Sequence, residues 1–117
     1  MASTTGGNLG LEYGWTEGES GWKTGMDANL KALDALLSVS IIDRDLTAPP
    51  GGETDGDQYI VASVATGAWA THEDEIAVYV VSAYEFHIPQ VGQLAYIEDE
   101  VLLCVFKAGG WSTGIAI

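Results

Sequence analysis

The chain has 117 residues, 47% of them hydrophobic and 18% charged, enough for one compact core and too ordered in composition for intrinsic disorder over most of its length. Seventeen acidic residues against four basic ones give a formal net charge of -13, which repels a phosphate backbone and an anionic membrane surface, so neither nucleic acid nor membrane is an expected partner. A single cysteine, Cys104 in "VLLCVF", excludes an internal disulfide and reads as a small apolar core residue.

Residues 1–25 carry seven of the fifteen glycines together with Trp15 and Trp22. Glycine permits positive φ and close backbone approach, and large aromatics anchor by burial, so this segment reads as an extended arm that docks on its own domain or on a neighbouring subunit. The arm shows neither the basic and apolar regions of a signal peptide nor a run near the ~20 apolar residues of a spanning helix, so synthesis and folding in a cytoplasm are expected.

Residues 26–117 read as a single module. Met26, Leu30, Leu33 and Leu37 fall at i, i+4, i+7 and i+11, one face of a helix widened by Leu36, with Thr24 as N-cap and Asp27 three residues on. The β-branched "VSII" ends that helix, and Pro49 and Pro50 prevent its resumption. From Asp57 onward, "YIVASV", "IAVYVV", "YEFHI", "LAYI", "VLLCVF" and "STGIAI" are short apolar runs between turn residues, the pattern of antiparallel strands. Strict alternation is weak in "VLLCVF", which predicts a strand covered on both faces, whereas Glu85 and His87 alternate with Tyr84, Phe86 and Ile88 as in a half-exposed strand. The expected fold is α+β: one amphipathic helix packed on an antiparallel sheet or small barrel, preceded by the arm.

Chemistry is sparse in this pattern. The acidic runs "HEDE" (His72–Glu75) and "EDE" (Glu98–Glu100) lack the alternating ligands of an EF-hand and read as solvated turns rather than calcium sites, and His72, His87 and Cys104 lack zinc-site spacing. No Gly-x-Ser-x-Gly elbow and no phosphate loop occurs, so neither a catalytic residue nor a cofactor is assigned. A pair of carboxylates hydrolysing a glycoside is the third-ranked function. Arg44, between two acids in "DRD", suits a bidentate cross-link of a turn or an interface. Trp69 and Trp111 follow tight glycine turns and read first as core or interface; with Tyr84 they are also the candidate glycan contacts.

The stretches "NLGL" at Asn8–Leu11, "NLKALDALLSVSIIDRDLTAPP" at Asn29–Pro50, "GDQYIV" at Gly56–Val61, "ATGAWA" at Ala65–Ala70, "IAVYVV", "IPQVGQLAYIEDEVLLCVF" and Trp111 together resemble the domain-of-unknown-function 2793 family of phage and gene-transfer-agent virion proteins. The sequence departs from that pattern at Tyr79, at "VSAY" and at "FKAGGW". The resemblance implies a structural part of a tailed-phage particle, a capsid decoration or cement protein, head spike or tail-fibre module, and brings no catalytic residues with it. The expectation is therefore a non-enzymatic protein on the outer surface of the virion, assembled in the host cytoplasm, with a homo-oligomer (a trimer by analogy with viral spikes), the major capsid protein or another virion protein as partners. Trp15, Trp22 and Arg44 are the expected oligomer or particle contacts. The alternative is an adhesion module that binds host surface glycan.

Overall fold

The computed structural model describes residues 3–117, which divide into two compact units between Ser38 and Val39. The fold is α+β, with one α-helix, several short sheets and no closed barrel among the described residues.

In the first unit, strands β1 (Thr4–Thr5) and β2 (Glu12–Tyr13) pair antiparallel, and helix α1 runs Trp22–Leu36. The helix begins two residues before the expected cap. Gly21, with φ +85°, makes the left-handed entry that a side-chain cap would otherwise organise, and Thr24 lies inside the first turn. Asp27 pairs instead with Lys23, one turn earlier on the exposed surface, at 2.7 Å. The arm docks on this helix. Asn29 holds the backbone of Glu12 at both ends, its Oδ1 accepting from the Glu12 N–H and its Nδ2 donating to the Glu12 carbonyl, both at 2.7 Å. One turn away, the ring of Trp15 covers Gly25 so closely that a Cβ there would run into it. A glycine in mid-helix costs about 1 kcal/mol of helix propensity, and here it makes the room for the tryptophan.

The face of α1 that packs is therefore the small one. Gly25 and Ala35 are buried and Asn29, Ala32 and Leu36 partly so, whereas Met26, Leu30 and Leu37 of the apolar stripe are exposed. Periodicity correctly marks the stripe, but it does not reveal which face the arm occupies. The helix groups with the arm in the compact unit that ends at Ser38.

The second unit contains β3 (Ser40–Ile41), β4 (Gln58–Ile60), β5 (Ile76–Val80), β6 (Ala83–His87), β7 (Leu94–Ile97), β8 (Leu102–Lys107), β9 (Gly110–Trp111) and β10 (Ile115–Ala116). One sheet has the order β10-β8-β7-β3, with β9 also paired to β8, and the other has the order β4-β5-β6. All these pairs are antiparallel except β3 with β7, where Ile41 lies opposite Ile97 in a parallel register. The parallel pair departs from the all-antiparallel expectation. "VSII" both ends the helix and supplies this strand, and the long excursion through the rest of the chain lets it return beside β7 in the same direction. The chain just after β3 also links the two sheets: the Ile42 N–H donates to Gln58 O at 2.9 Å and the Ile60 N–H to Asp43 O at 3.3 Å.

Trp69, fully buried at the end of the 3₁₀ turn Gly67–Trp69, centres a core with Tyr59, Val61 and Ala77, and Ile42, Leu46, Ala65, Tyr84 and Phe86 pack around it. Glycine at Gly67, φ +63°, permits the turn that aims the tryptophan inward. β8 is covered less than its apolar run suggests, with Cys104 buried and its neighbours half-buried. β6 is covered more, since Tyr84, Glu85, Phe86 and His87 are all half-buried, and burial pushes the His87 imidazole below its usual range against an opposing pull from Glu85.

The β5–β6 hairpin closes through Val81 and Ser82, both with positive φ (+46° and +70°) and with Val80 opposite Ala83. Two such residues make the primed turn that suits hairpin twist, yet a β-branched side chain is among the worst occupants of that region. Val81 is 77% exposed and little packing would be lost on replacing it. The double replacement Val81→Asn, Ser82→Gly is expected to raise stability by about 1–2 kcal/mol, read as a higher urea midpoint with an unchanged m-value.

Candidate functional site

Arg44 sits in the turn that follows β3 and uses every N–H it has. Its Nε and Nη2 donate to the two carboxylate oxygens of Glu100 at 3.1 and 2.9 Å; Nη1 donates to Ser112 O at 2.9 Å and to Cys104 Sγ at 3.3 Å; Nη2 also donates to Thr113 O at 2.9 Å. Five donors, the full guanidinium inventory, tie one turn to the β7–β8 turn, to β8 and to the segment after β9. Glu100 holds the guanidinium more firmly protonated, and Arg44 in return holds the Glu100 carboxyl below the usual carboxylate range. Arg44 is thus an internal clasp with no donor left for a partner. The bidentate pairing anticipated from "DRD" occurs within the unit, across 56 residues of sequence.

Beside the clasp, the carboxylates of Asp43, Asp45 and Asp99 each offer an oxygen within 4.8 Å of the other two. Burial, then Asp43, Glu100 and Asp45, push the Asp99 carboxyl above its usual range. Three carboxylate oxygens can serve a hard cation that completes its shell with water. Exposed acids also converge in this way without an ion, and the geometry alone assigns no metal.

The two acidic runs are engaged in turns. Glu73 accepts the Ala65 N–H at 3.0 Å, Glu75 meets His72 Nδ1 at 2.9 Å, and Glu98 accepts the Ser40 hydroxyl at 2.6 Å. The His72 ring stacks on Phe86 at 3.7 Å with the planes 2° apart.

Of the three candidate glycan contacts, Trp69 has no exposed face on which a sugar could stack. Its ring lies 5.5 Å from both Tyr59 and Tyr84, and its indole N–H is buried without a hydrogen-bond partner among the described residues. Tyr84 is half-buried and donates its hydroxyl to Glu53 at 2.6 Å; burial first, and then Glu53, push that phenol well above its usual range. Trp111 is also half-buried, edge-on to Phe106 at 5.2 Å, with its Nε1 donating to Asp74 O at 2.8 Å. The structure brings Tyr84 to Trp69 and sets Trp111 in a separate aromatic pair.

In the first unit the two arm tryptophans diverge. Trp15 packs on Gly25 of its own helix, while Trp22 remains 53% exposed. Between them lies an open groove of about 500 Å³ lined by Trp15, Thr16, Glu17, Gly18, Glu19, Trp22 and Met26. Trp22, Met26 and Leu30 of α1 and Leu37 just after it are large exposed apolar side chains at helical spacing. Helical spacing shows the stripe in the sequence; its exposure follows only from where the arm docks.

The profile of the family described as "Protein of unknown function (DUF2793)" matches residues 26–112. The chain belongs to this family. The match spans both compact units, from Met26 in α1 to Ser112 beyond β9, and so takes in the exposed stripe, the Arg44 clasp and the Trp69 core. No curated protein matches the chain.

Proposed function

We propose that the protein is a phage virion structural component, a capsid decoration, cement or head-spike module on the particle exterior that works by association and not by catalysis. The observation that carries this reading is the exposed apolar run Trp22, Met26, Leu30 and Leu37 on a body otherwise rich in acidic groups. A net charge of -13 keeps such a body soluble at high local concentration and away from packaged nucleic acid. The resemblance of its motifs to virion proteins supplies the setting, and the internal consumption of Arg44, Glu73, Glu98 and Glu100 supplies rigidity. Its partners are other copies of itself, a trimer by analogy with spikes, and the major capsid protein or another virion protein.

The test is to incubate purified protein with particles that lack it and follow co-sedimentation and head melting temperature. Saturable binding to heads with a raised melting temperature supports decoration, binding at the tail moves the role to a fibre or baseplate, and no binding to any particle part sinks the proposal. The half-buried rings of Trp111 and Tyr84 favour host surface glycan as the second reading. It predicts a saturable change in tryptophan fluorescence on titration with host polysaccharide, and release of reducing ends in the same titration would instead indicate a glycoside hydrolase.

A further inference from the structure

Residues 112–117 run along the edge of the sheet that contains β8 and are held differently from the strands beside them. β10 is the outermost strand of that sheet and pairs with β8 only through Ile115 opposite Leu103 and Ala116 opposite Leu102. Backbone bonds at either end continue the contact, the Ser112 N–H donating to Val105 O at 2.9 Å and the Ile117 N–H to Val101 O at 3.4 Å, and the Ser112 hydroxyl accepts the Val105 N–H at 3.0 Å. None of residues 112–117 is buried. Hydrogen bonds rather than apolar burial therefore hold the segment, the condition under which a segment opens at less cost than the whole unit.

Arg44 concentrates the fastening. Its Nη1 donates to Ser112 O and its Nη2 to Thr113 O, both at 2.9 Å, while Nε and Nη2 grip Glu100. Beneath the segment lies Cys104, 1% exposed. Gly114 crosses the thiol so closely that a Cβ there would stand 2.8 Å from Sγ and 3.0 Å from Leu102 Cβ. A cavity of about 360 Å³ lies between Ser112–Ile115 and the side chains of Leu94, Leu103, Cys104 and Val105. Just before the segment, Trp111 is fixed by its Nε1 bond to Asp74 O at 2.8 Å and by its ring contact with Phe106, which gives a firm point from which to pivot.

We infer that residues 112–117 are a strap latched by Arg44, which lifts from β8 while the rest of the second unit stays folded and so admits solutes to the Cys104 thiol. Lifting the strap breaks its own bonds to β8 and to the guanidinium and leaves the other strand pairs of the unit intact. The Arg44–Glu100 pair survives the motion, so no charge is stranded by it.

The experiment follows Cys104, the one cysteine of the chain, with an excess of an aromatic disulfide at fixed pH. The Cys104 thiolate attacks one sulfur, a mixed disulfide forms and a coloured thiolate leaves. Rates are read at urea concentrations below the unfolding transition. The expected rate is nearly independent of urea, because lifting a strap exposes little surface. It should also be unchanged in the double variant Val81→Asn, Ser82→Gly, whose hairpin lies in the other sheet. Arg44→Lys, which keeps the charge and loses the fork, should label about tenfold faster or more. Amide exchange gives an independent reading: Ser112 and Ile117 should exchange well before Val61, whose N–H donates to Glu75 O at 3.1 Å. Labelling that steepens with urea as global unfolding does, and slows in the hairpin variant, would mean that Cys104 is reached only through global unfolding and would overturn the strap. Protection of Ser112 and Ile117 equal to that of Val61 overturns it as well, and an Arg44→Lys rate equal to wild type overturns Arg44 as the latch.

Discussion

Arg44→Ala is expected to lower the stability of the second unit by about 3–5 kcal/mol, enough to bring its melting temperature down by more than 10 °C. The loss is larger than one ion pair would suggest because it is not one ion pair. Removing the guanidinium leaves the Glu100 carboxylate, two backbone carbonyls at Ser112 and Thr113 and the Cys104 sulfur without their donor. Arg44→Lys should recover little of it, since an ammonium cannot reproduce a bidentate fork and two further carbonyl contacts from one point. The pair also gives the clasp a pH signature. Arg44 holds the folded-state Glu100 carboxyl below the ordinary value of 4.5. As pH falls through 4.5 the unfolded chain therefore binds the proton before the folded one does, and the stability contributed by the pair, complete above that pH, drains away as pH drops through the lowered value. Asp99 opposes this. Burial first, and then the charges of Asp43, Glu100 and Asp45, hold its folded-state carboxyl above the ordinary 3.8, so its own contribution to stability rises as pH falls. Denaturant melts of wild type and Arg44→Ala between pH 3 and pH 7 should show the Glu100 slope in the first and its absence in the second; equal slopes would remove Glu100 as the linked group.

Trp69→Ala should cost about 3–5 kcal/mol by leaving a cavity where the largest fully buried side chain stands. Tyr59 and Tyr84 lose their ring partner at 5.5 Å in the same step, and the half-buried Tyr84 is free to move with it. Trp69→Phe should be much milder, since the indole N–H makes no hydrogen bond among the described residues and its removal leaves nothing unpaired. Urea midpoints separate these outcomes, and near-ultraviolet circular dichroism reports whether the aromatic cluster has loosened. An Ala variant as stable as wild type would mean that the core collapses around the vacancy and does not depend on this side chain.

Periodicity and punctuation made much of the architecture legible in the sequence. The leucine spacing after Gly25 marks α1, the apolar runs from Asp57 mark β4 to β8 and β10, and Pro49 and Pro50 lie in the irregular stretch where no helix resumes. These features are local, written in residues a few positions apart, and a single sequence displays them. The docking of Trp15 on Gly25, the parallel return of β3 to β7, the meeting of Arg44 with Glu100 and the convergence of Asp43, Asp45 and Asp99 all join residues far apart in the chain or choose between two faces of one element. The tertiary structure alone decided them, because steric room and the pairing of buried polar groups depend on which surfaces meet. The same reason governs the stripe on α1: its apolar spacing is a property of the sequence, and its exposure exists because the smaller face of the helix admits the arm.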